Sequence, residues 1–179
     1  MFLWICLPLH THLLAQKVSF IAQAGVSSYG SGSIGGLGTG GGDNSWKTGP
    51  IMGIGTRVAL TQAFSVGATI EYSTHRYDPG EFGTNYDATN TVLYLNGIGQ
   101  LRFGLFDPFD GSILGGINLT YQDRDPTGTP GLTELDVGGL LGVGLTAGLS
   151  SHVEVFLEGS LRIRTYVTPV AQIGIAYAL

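Results

Sequence analysis

Hydrophobic and polar residues alternate along most of this chain with a period of two, and residues 153–164, VEVFLEGSLRIR, are the clearest instance. Val153, Val155, Leu157, Gly159, Leu161 and Ile163 fall on one face, and Glu154, Phe156, Glu158, Ser160, Arg162 and Arg164 on the other. Every charge in the run shares one parity, which marks an extended strand with one apolar face and excludes a 3.6-residue helical repeat. Seven further runs pass the same test, at 17–27, 51–60, 64–77, 90–104, 112–122, 133–147 and 168–179. In the second, Met52, Ile54, Thr56, Val58 and Leu60 oppose Arg57; in the third, Phe64, Val66, Ala68, Ile70 and Tyr72 oppose Glu71 and His75. The fourth sets Leu93, Leu95, Leu101 and Phe103 against Asn96, Gln100 and Arg102. The sixth sets Leu135, Val137, Leu141, Val143 and Leu145 against Glu134 and Asp136. Each run is at least about the ten residues that a tilted membrane strand needs.

The connections alternate in length as well. Thr61-Gln62-Ala63, LFDPFDG and LSSH are tight, whereas the segments at 28–50, 78–89 and 123–132 are longer and polar, glycine-rich or acidic, with a short one at 165–167. Short turns at one end and longer loops at the other are the layout of a barrel that crosses a membrane. Outward aromatics gather near the strand ends, with Phe20, Phe64, Phe103 and Tyr177 on the short-turn side and Tyr72 and Tyr121 on the other, where interfacial girdles lie. The uncharged stretch from Val137 to Val153 does not read as a membrane helix. It holds five glycines and alternates leucine or valine with glycine or threonine, and each glycine costs a helix about 1 kcal/mol relative to alanine. The fold class is therefore all-β: a closed antiparallel eight-stranded transmembrane β-barrel with up-and-down topology.

Composition sharpens this picture. Charged residues make up 12% of the 179, about half the share usual for a soluble domain, as fits an apolar face turned to lipid. A net charge of -5 with no basic stripe argues against nucleic acid as a partner. Thirty glycines with seven prolines and no G-X-Y period exclude collagen. The single cysteine, Cys6, allows neither a disulfide framework nor a cysteine metal site. Residues 1–16, MFLWICLPLHTHLLAQ, are apolar and interrupted by Pro8, His10 and His12, which suits a secretory signal peptide with Ala15 near the cleavage point. It lacks a basic start. The barrel domain is expected at 17–179.

One stretch invites a different reading. Gly30-Ser31-Gly32-Ser33-Ile34-Gly35 spells G-x-G-x-x-G after a strand. The continuation GLGTGGGDN cannot open a helix, so no helix N-terminus exists to hold a pyrophosphate, and no acidic residue follows at about 20 positions. The calcium-binding G-G-x-G-x-D repeat fails too, because Gly40 stands where aspartate belongs. No cofactor is expected.

The last residues carry a more specific signal. Gln172, Gly174, Tyr177 and Leu179 fill the polar, glycine, aromatic and terminal apolar slots of a pattern that resembles the C-terminal β-signal of outer-membrane barrels, with leucine in place of the more usual phenylalanine. Together with the eight runs, residues 17–179 resemble the small OmpA/OmpX-type outer-membrane β-barrel family. The resemblance implies recognition by the barrel-assembly machinery and residence in the outer membrane of a Gram-negative bacterium, among lipid and lipopolysaccharide, as a monomer. The periplasmic peptidoglycan-binding domain of some relatives is not expected here.

An eight-stranded barrel is about wide enough for side chains to fill it. By parity Arg57, Glu71, Arg102, Glu158 and Arg162 point inward, and unpaired they would each cost several kcal/mol. An ion-pair network across the lumen is expected, as a plug that fixes the barrel. In the alternative reading the network breaks to pass ions or small solutes, which resembles the gating proposed for this family. Some eight-stranded relatives modify lipid A, with a histidine, serine or acid at the outer rim. Ser73, His75 and Glu134 do not show a triad's spacing, so no catalytic residue is assigned and His75 is expected as a solvated rim histidine. His75 and His152 lie at opposite ends and make no metal site. Asp43, Asp78, Glu81, Asp87, Asp123 and Asp125, against Lys47, Arg76 and Arg124, read as a solvated acidic rim, with divalent bridging to lipopolysaccharide phosphates as the alternative. Trp46 reads as an interface anchor. The expected function is a structural or surface-interaction barrel without enzymatic activity, with a narrow pore second and a lipid-modifying enzyme third.

Overall fold

Eight strands follow one another around a closed barrel, each antiparallel to the next, with β1 also paired to β8. They are β1 (Val18–Tyr29), β2 (Lys47–Ala59), β3 (Phe64–Tyr77), β4 (Ala88–Phe106), β5 (Phe109–Pro126), β6 (Leu132–Gly148), β7 (Val153–Ile163) and β8 (Val167–Ala178). In this computed structural model the described residues are 17–29, 47–77, 88–126, 132–164 and 167–179. The expected signal peptide, Trp46, and most of the glycine-rich and acidic loop segments lie outside them.

The barrel geometry follows from the ladder register. Paired residues lead once around the barrel from Ala178 through Ser19, Arg57, Gly67, Ile98, Gly116, Leu140 and Arg162 to Thr168. The return is displaced by ten residues, from 178 to 168. That stagger is what tilts the strands by roughly 35–45° and lets an eight-stranded barrel close around side chains.

Strand alternation sorts the faces. Ile54, Ile70, Leu95, Ile113, Leu141, Leu157 and Ile173 are exposed on the outside, while Arg57, Glu71, Asn96, Gln100, Asn118, Glu158 and Arg162 are buried inside. Phe20, Phe64, Phe103 and Tyr177 are exposed near the short turns, and Tyr72 and Tyr121 are exposed towards the opposite end. The tight turns are held by local side chains. Thr61 Oγ1 accepts the Phe64 amide at 2.9 Å, and Ser150 Oγ accepts the Val153 amide at 3.1 Å, the local hydroxyl-to-backbone bonding that favours Ser and Thr in turns.

The strands run further than the apolar alternation suggests. β4 and β5 meet at a two-residue turn, Asp107-Pro108, with a cis peptide bond between them. At the other end β5 continues to Pro126 and β6 begins at Leu132. Thus Asp123 belongs to a strand, exposed and of outward parity, and is not a loop residue. These end residues lack the apolar face but keep their backbone pairing, and periodicity detects only the first.

Candidate functional site

Strand β7 organises the interior. Its inward residues Glu154, Glu158 and Arg162 stand four positions apart, and each reaches across the lumen to a different strand. Nearest the short turns, Arg102 of β4 grips Glu154 with both terminal nitrogens, Nη1 to Oε1 at 3.2 Å and Nη2 to Oε2 at 2.8 Å. Above it, Arg57 of β2 donates Nη2 to Glu158 Oε1 at 3.3 Å and lies 5.6 Å from the centroid of the Phe156 ring. Higher still, Arg162 donates to Glu71 Oε2 from β3, and its guanidinium sits 3.9 Å over the Tyr94 ring.

Glu71 is the most heavily supported charge. Its Oε1 accepts from Gln23 Nε2 at 2.8 Å, Thr69 Oγ1 at 3.1 Å and Asn96 Nδ2 at 2.9 Å. Asn118 Nδ2 donates to Asn96 Oδ1 at 2.5 Å, and Thr120 Oγ1 donates to Asn118 Oδ1 at 2.7 Å. A buried carboxylate keeps its charge only when donors replace its lost hydration, and this chain of amides and hydroxyls supplies them.

Apolar side chains close the gaps between these tiers. Ile21, Phe156 and Ala176 form one cluster, and Ile51, Val92, Tyr94 and Val170 another. A chamber beside Gln23, Arg57, Ser65, Thr69, Gln100 and Glu158 has a volume of about 10 Å³, room for about one water molecule.

Of the residues singled out by sequence, the structure brings Arg57 to Glu158 and Arg162 to Glu71. Arg102 meets Glu154, which the sequence reading placed on the inward face but left out of the network. It also left out Gln23, Thr69, Tyr94, Asn96, Asn118 and Thr120. Their inward parity was available in the sequence; which of them would converge on one carboxylate was not, because that depends on the stagger.

His75 is not a solvated rim histidine. It is fully buried at 0% exposure, with Nε2 3.0 Å from Ser27 Oγ. Ser27 Oγ is in turn 2.7 Å from Ser73 Oγ, and Ser73 Oγ donates to the Pro50 carbonyl at 2.9 Å. The inward parity of β1 and β3 turns all three side chains into the barrel. His152 lies in the opposite, short-turn end, stacked at 6.2 Å on Tyr177.

On β8, Gln172 and Gly174 face inward and Tyr177 faces outward, with Leu179 exposed at the end. The Leu179 amide donates to the Val18 carbonyl at 2.9 Å, so the last residue still takes part in the seam with β1. Gly174 has a packing reason. A Cβ there would overlap the Phe156 ring and stand 2.7 Å from the Ala22 carbonyl oxygen.

No protein-family model matches the sequence. No curated protein matches it significantly either. Among solved structures, the fold is similar to that of Neisserial surface protein A, with a TM-score of 0.62 at 10% identity over 90% of this chain and 96% of that one. It is also similar to Ail, the attachment invasion locus protein of Yersinia pestis, in complex with the heparin analogue sucrose octasulfate, with a TM-score of 0.61 at 10% identity over 92% and 98%. The N-terminal β-barrel domain of Pseudomonas aeruginosa OprF matches with a TM-score of 0.58 at 11% identity over 92% and 98%. The fold is that of the small eight-stranded outer-membrane β-barrels.

Proposed function

We propose that this protein is an integral barrel of a Gram-negative outer membrane, monomeric, with a structural or surface-interaction role and no enzymatic activity. The observation that carries the reading is the filled interior. Three Arg–Glu pairs span it at three levels from one strand, and apolar clusters occupy the space between them. The apolar exterior between aromatic belts supports a lipid surround, with lipopolysaccharide in the outer leaflet. The Ser27–Ser73–His75 cluster pairs a hydroxyl with an imidazole, but all three side chains are buried to 0% exposure, which speaks against work on a lipid. Gln172, Gly174, Tyr177 and Leu179 serve as the signal read by the barrel-assembly machinery. The polysulfated ligand of the Yersinia barrel is not carried over. The segments at this chain's long-loop end hold six carboxylates against three basic residues, a poor match for sulfate.

The test is refolding of residues 17–179 in detergent, followed by gels of unheated and boiled samples and by planar-bilayer recording. A mobility shift on boiling with no discrete conductance is the expected result. Discrete steps would instead favour a narrow pore whose ion pairs open. An altered lipid A mass after expression would revive the enzyme.

A further inference from the structure

β1 and β2 stay paired with each other further than either stays paired with its other neighbour. Their shared ladder reaches Tyr29↔Lys47. The ladder between β2 and β3 ends at Ile51↔Ser73, although β3 continues on β4 to Tyr77. The ladder between β1 and β8 ends at Ser27↔Val170, although β8 begins at Val167. The residues that would continue the two ladders, 47–50 against 74–77 and 28–29 against 168–169, all lie in strands.

Proline stands at both stops. The Leu60 amide donates to the Phe64 carbonyl at 2.9 Å, so even-numbered residues of β2 aim their backbone groups at β3. The Leu179 amide donates to the Val18 carbonyl at 2.9 Å, so odd-numbered residues of β8 aim theirs at β1. Pro50 and Pro169 are thus the first residues past each ladder, facing the seam with no N–H to give. Proline belongs at strand edges and not inside a sheet. The long-loop end of β1–β2 is therefore a two-stranded piece between two unlaced seams. On the membrane reading the β2–β3 seam opens just past Tyr72 of the aromatic belt, where backbone can meet water.

Side chains close the β2–β3 seam instead. Ser73 Oγ donates to the Pro50 carbonyl at 2.9 Å, so its 2.7 Å bond with Ser27 Oγ takes the Ser27 hydrogen. Ser27 Oγ then accepts from His75 Nε2 at 3.0 Å; that nitrogen also lies 3.3 Å from the Ser27 carbonyl, which can only accept. The relay runs from His75 to Ser27 to Ser73 to Pro50 and joins β1, β2 and β3 where the lacing stops. A Cβ at Gly49 would overlap the Thr74 carbonyl oxygen and stand 2.9 Å from His75 Cδ2, so glycine lets β2 lie close on β3 without a ladder. Ile51 and Val170, at the last pair of each ladder, are buried with Val92 and Tyr94 in one apolar cluster. That cluster is a fixed floor below the unlaced piece.

We propose that residues 28–29 and 47–50 form a flap in the barrel wall, hinged where the two ladders stop, with the Ser27–Ser73–His75 relay as its latch. Release of the latch lets the flap swing from β3 and β8 while it keeps its own ladder, and uncovers His75, which is closed to 0% exposure when the flap is shut. Glu71 lies two residues further down β3 than Ser73, and its pair with Arg162 stays closed. The flap therefore opens a recess at the rim and no channel. The proposal goes beyond the structural role above and needs only that the barrel is closed.

The test applies diethyl pyrocarbonate, which modifies accessible imidazoles, to the protein in lipid nanodiscs and locates modified histidines by mass spectrometry. Exposed His152 is the internal reference. His75 is expected to react at least tenfold more slowly than His152. Ser73→Ala breaks the latch without touching the bond between His75 and Ser27, and should raise the His75 rate at least fivefold with His152 unchanged. Adding Pro50→Val and Pro169→Val to Ser73→Ala supplies each seam with an N–H and should bring the rate back at least fivefold. Pro50→Val alone makes the same comparison should the pair not refold. His75 reacting as fast as His152 in the unaltered protein overturns the proposal. So does a rate that Ser73→Ala leaves unchanged, or a raised rate that the valines fail to lower. Loss of the mobility shift on boiling in the unaltered protein would instead overturn the barrel reading beneath it.

Discussion

Glu71 and Arg162 are fully buried partners, and removing one leaves the other uncompensated. Glu71→Gln is expected to destabilise the folded barrel by about 3–5 kcal/mol, seen as a lower urea midpoint in detergent. Replacing both residues with methionine should cost less than either single change, since no orphaned charge remains. Gly174 offers a second test. Gly174→Val drives a side chain into Phe156 and the β1 backbone, so refolding in detergent, where no assembly machinery is present, should already fail or slow. Normal refolding with impaired assembly in cells would show that the position matters only as a signal. Both residues illustrate what a sequence leaves open. Glu71 was legible as inward, and Gly174 as part of a motif, but neither the ion-pair partner of Glu71 nor the ring that Gly174 makes room for lies near it in the chain.

Among the elements, β7 and β6 have contrasting duties. β7 delivers one member of every described cross-lumen ion pair at a spacing of four, a pattern visible in VEVFLEGSLRIR once the lumen face is known. On the proposed membrane reading β6 passes from the lipid-facing wall into water, and substitutions along its outer face should report that passage. Val143→Arg, near mid-membrane, is expected to cost about 2–4 kcal/mol, whereas Leu135→Arg should cost about 0–1 kcal/mol. Equal costs at the two positions, measured by reversible unfolding in lipid vesicles, would overturn the placing of Leu135, paired with Tyr121 of the outer aromatic set, at the membrane rim.

For the whole molecule, a ten-residue stagger and eight strands make a lumen that side chains can fill. Two of the three ion pairs are almost wholly buried, and only Arg102 with Glu154 is partly open, at 20% and 25% side-chain exposure. Planar bilayers holding the refolded barrel should therefore show no discrete conductance steps. A variant lacking only Arg102 should remain silent, because the Arg57 and Arg162 tiers above it are intact. Steps appearing in that variant would place the barrier at the lowest pair and make the other two incidental.

The two-residue period, the alternation of turn lengths and the scarcity of charge were enough, in the sequence alone, to determine eight antiparallel strands, their inward faces and a closed membrane-type barrel. Those are local properties: side-chain parity belongs to each strand by itself, and lipid outside requires apolar residues on one parity throughout. Tertiary structure decided everything that depends on the stagger between strands. It set Arg102 against Glu154, gathered Gln23, Thr69 and Asn96 on Glu71, and enclosed His75 beside Ser27 and Ser73. It also decided where strands end. The backbone ladder continues where no apolar face announces it, so β5 runs from Phe109 to Pro126, past the 112–122 run that marked it.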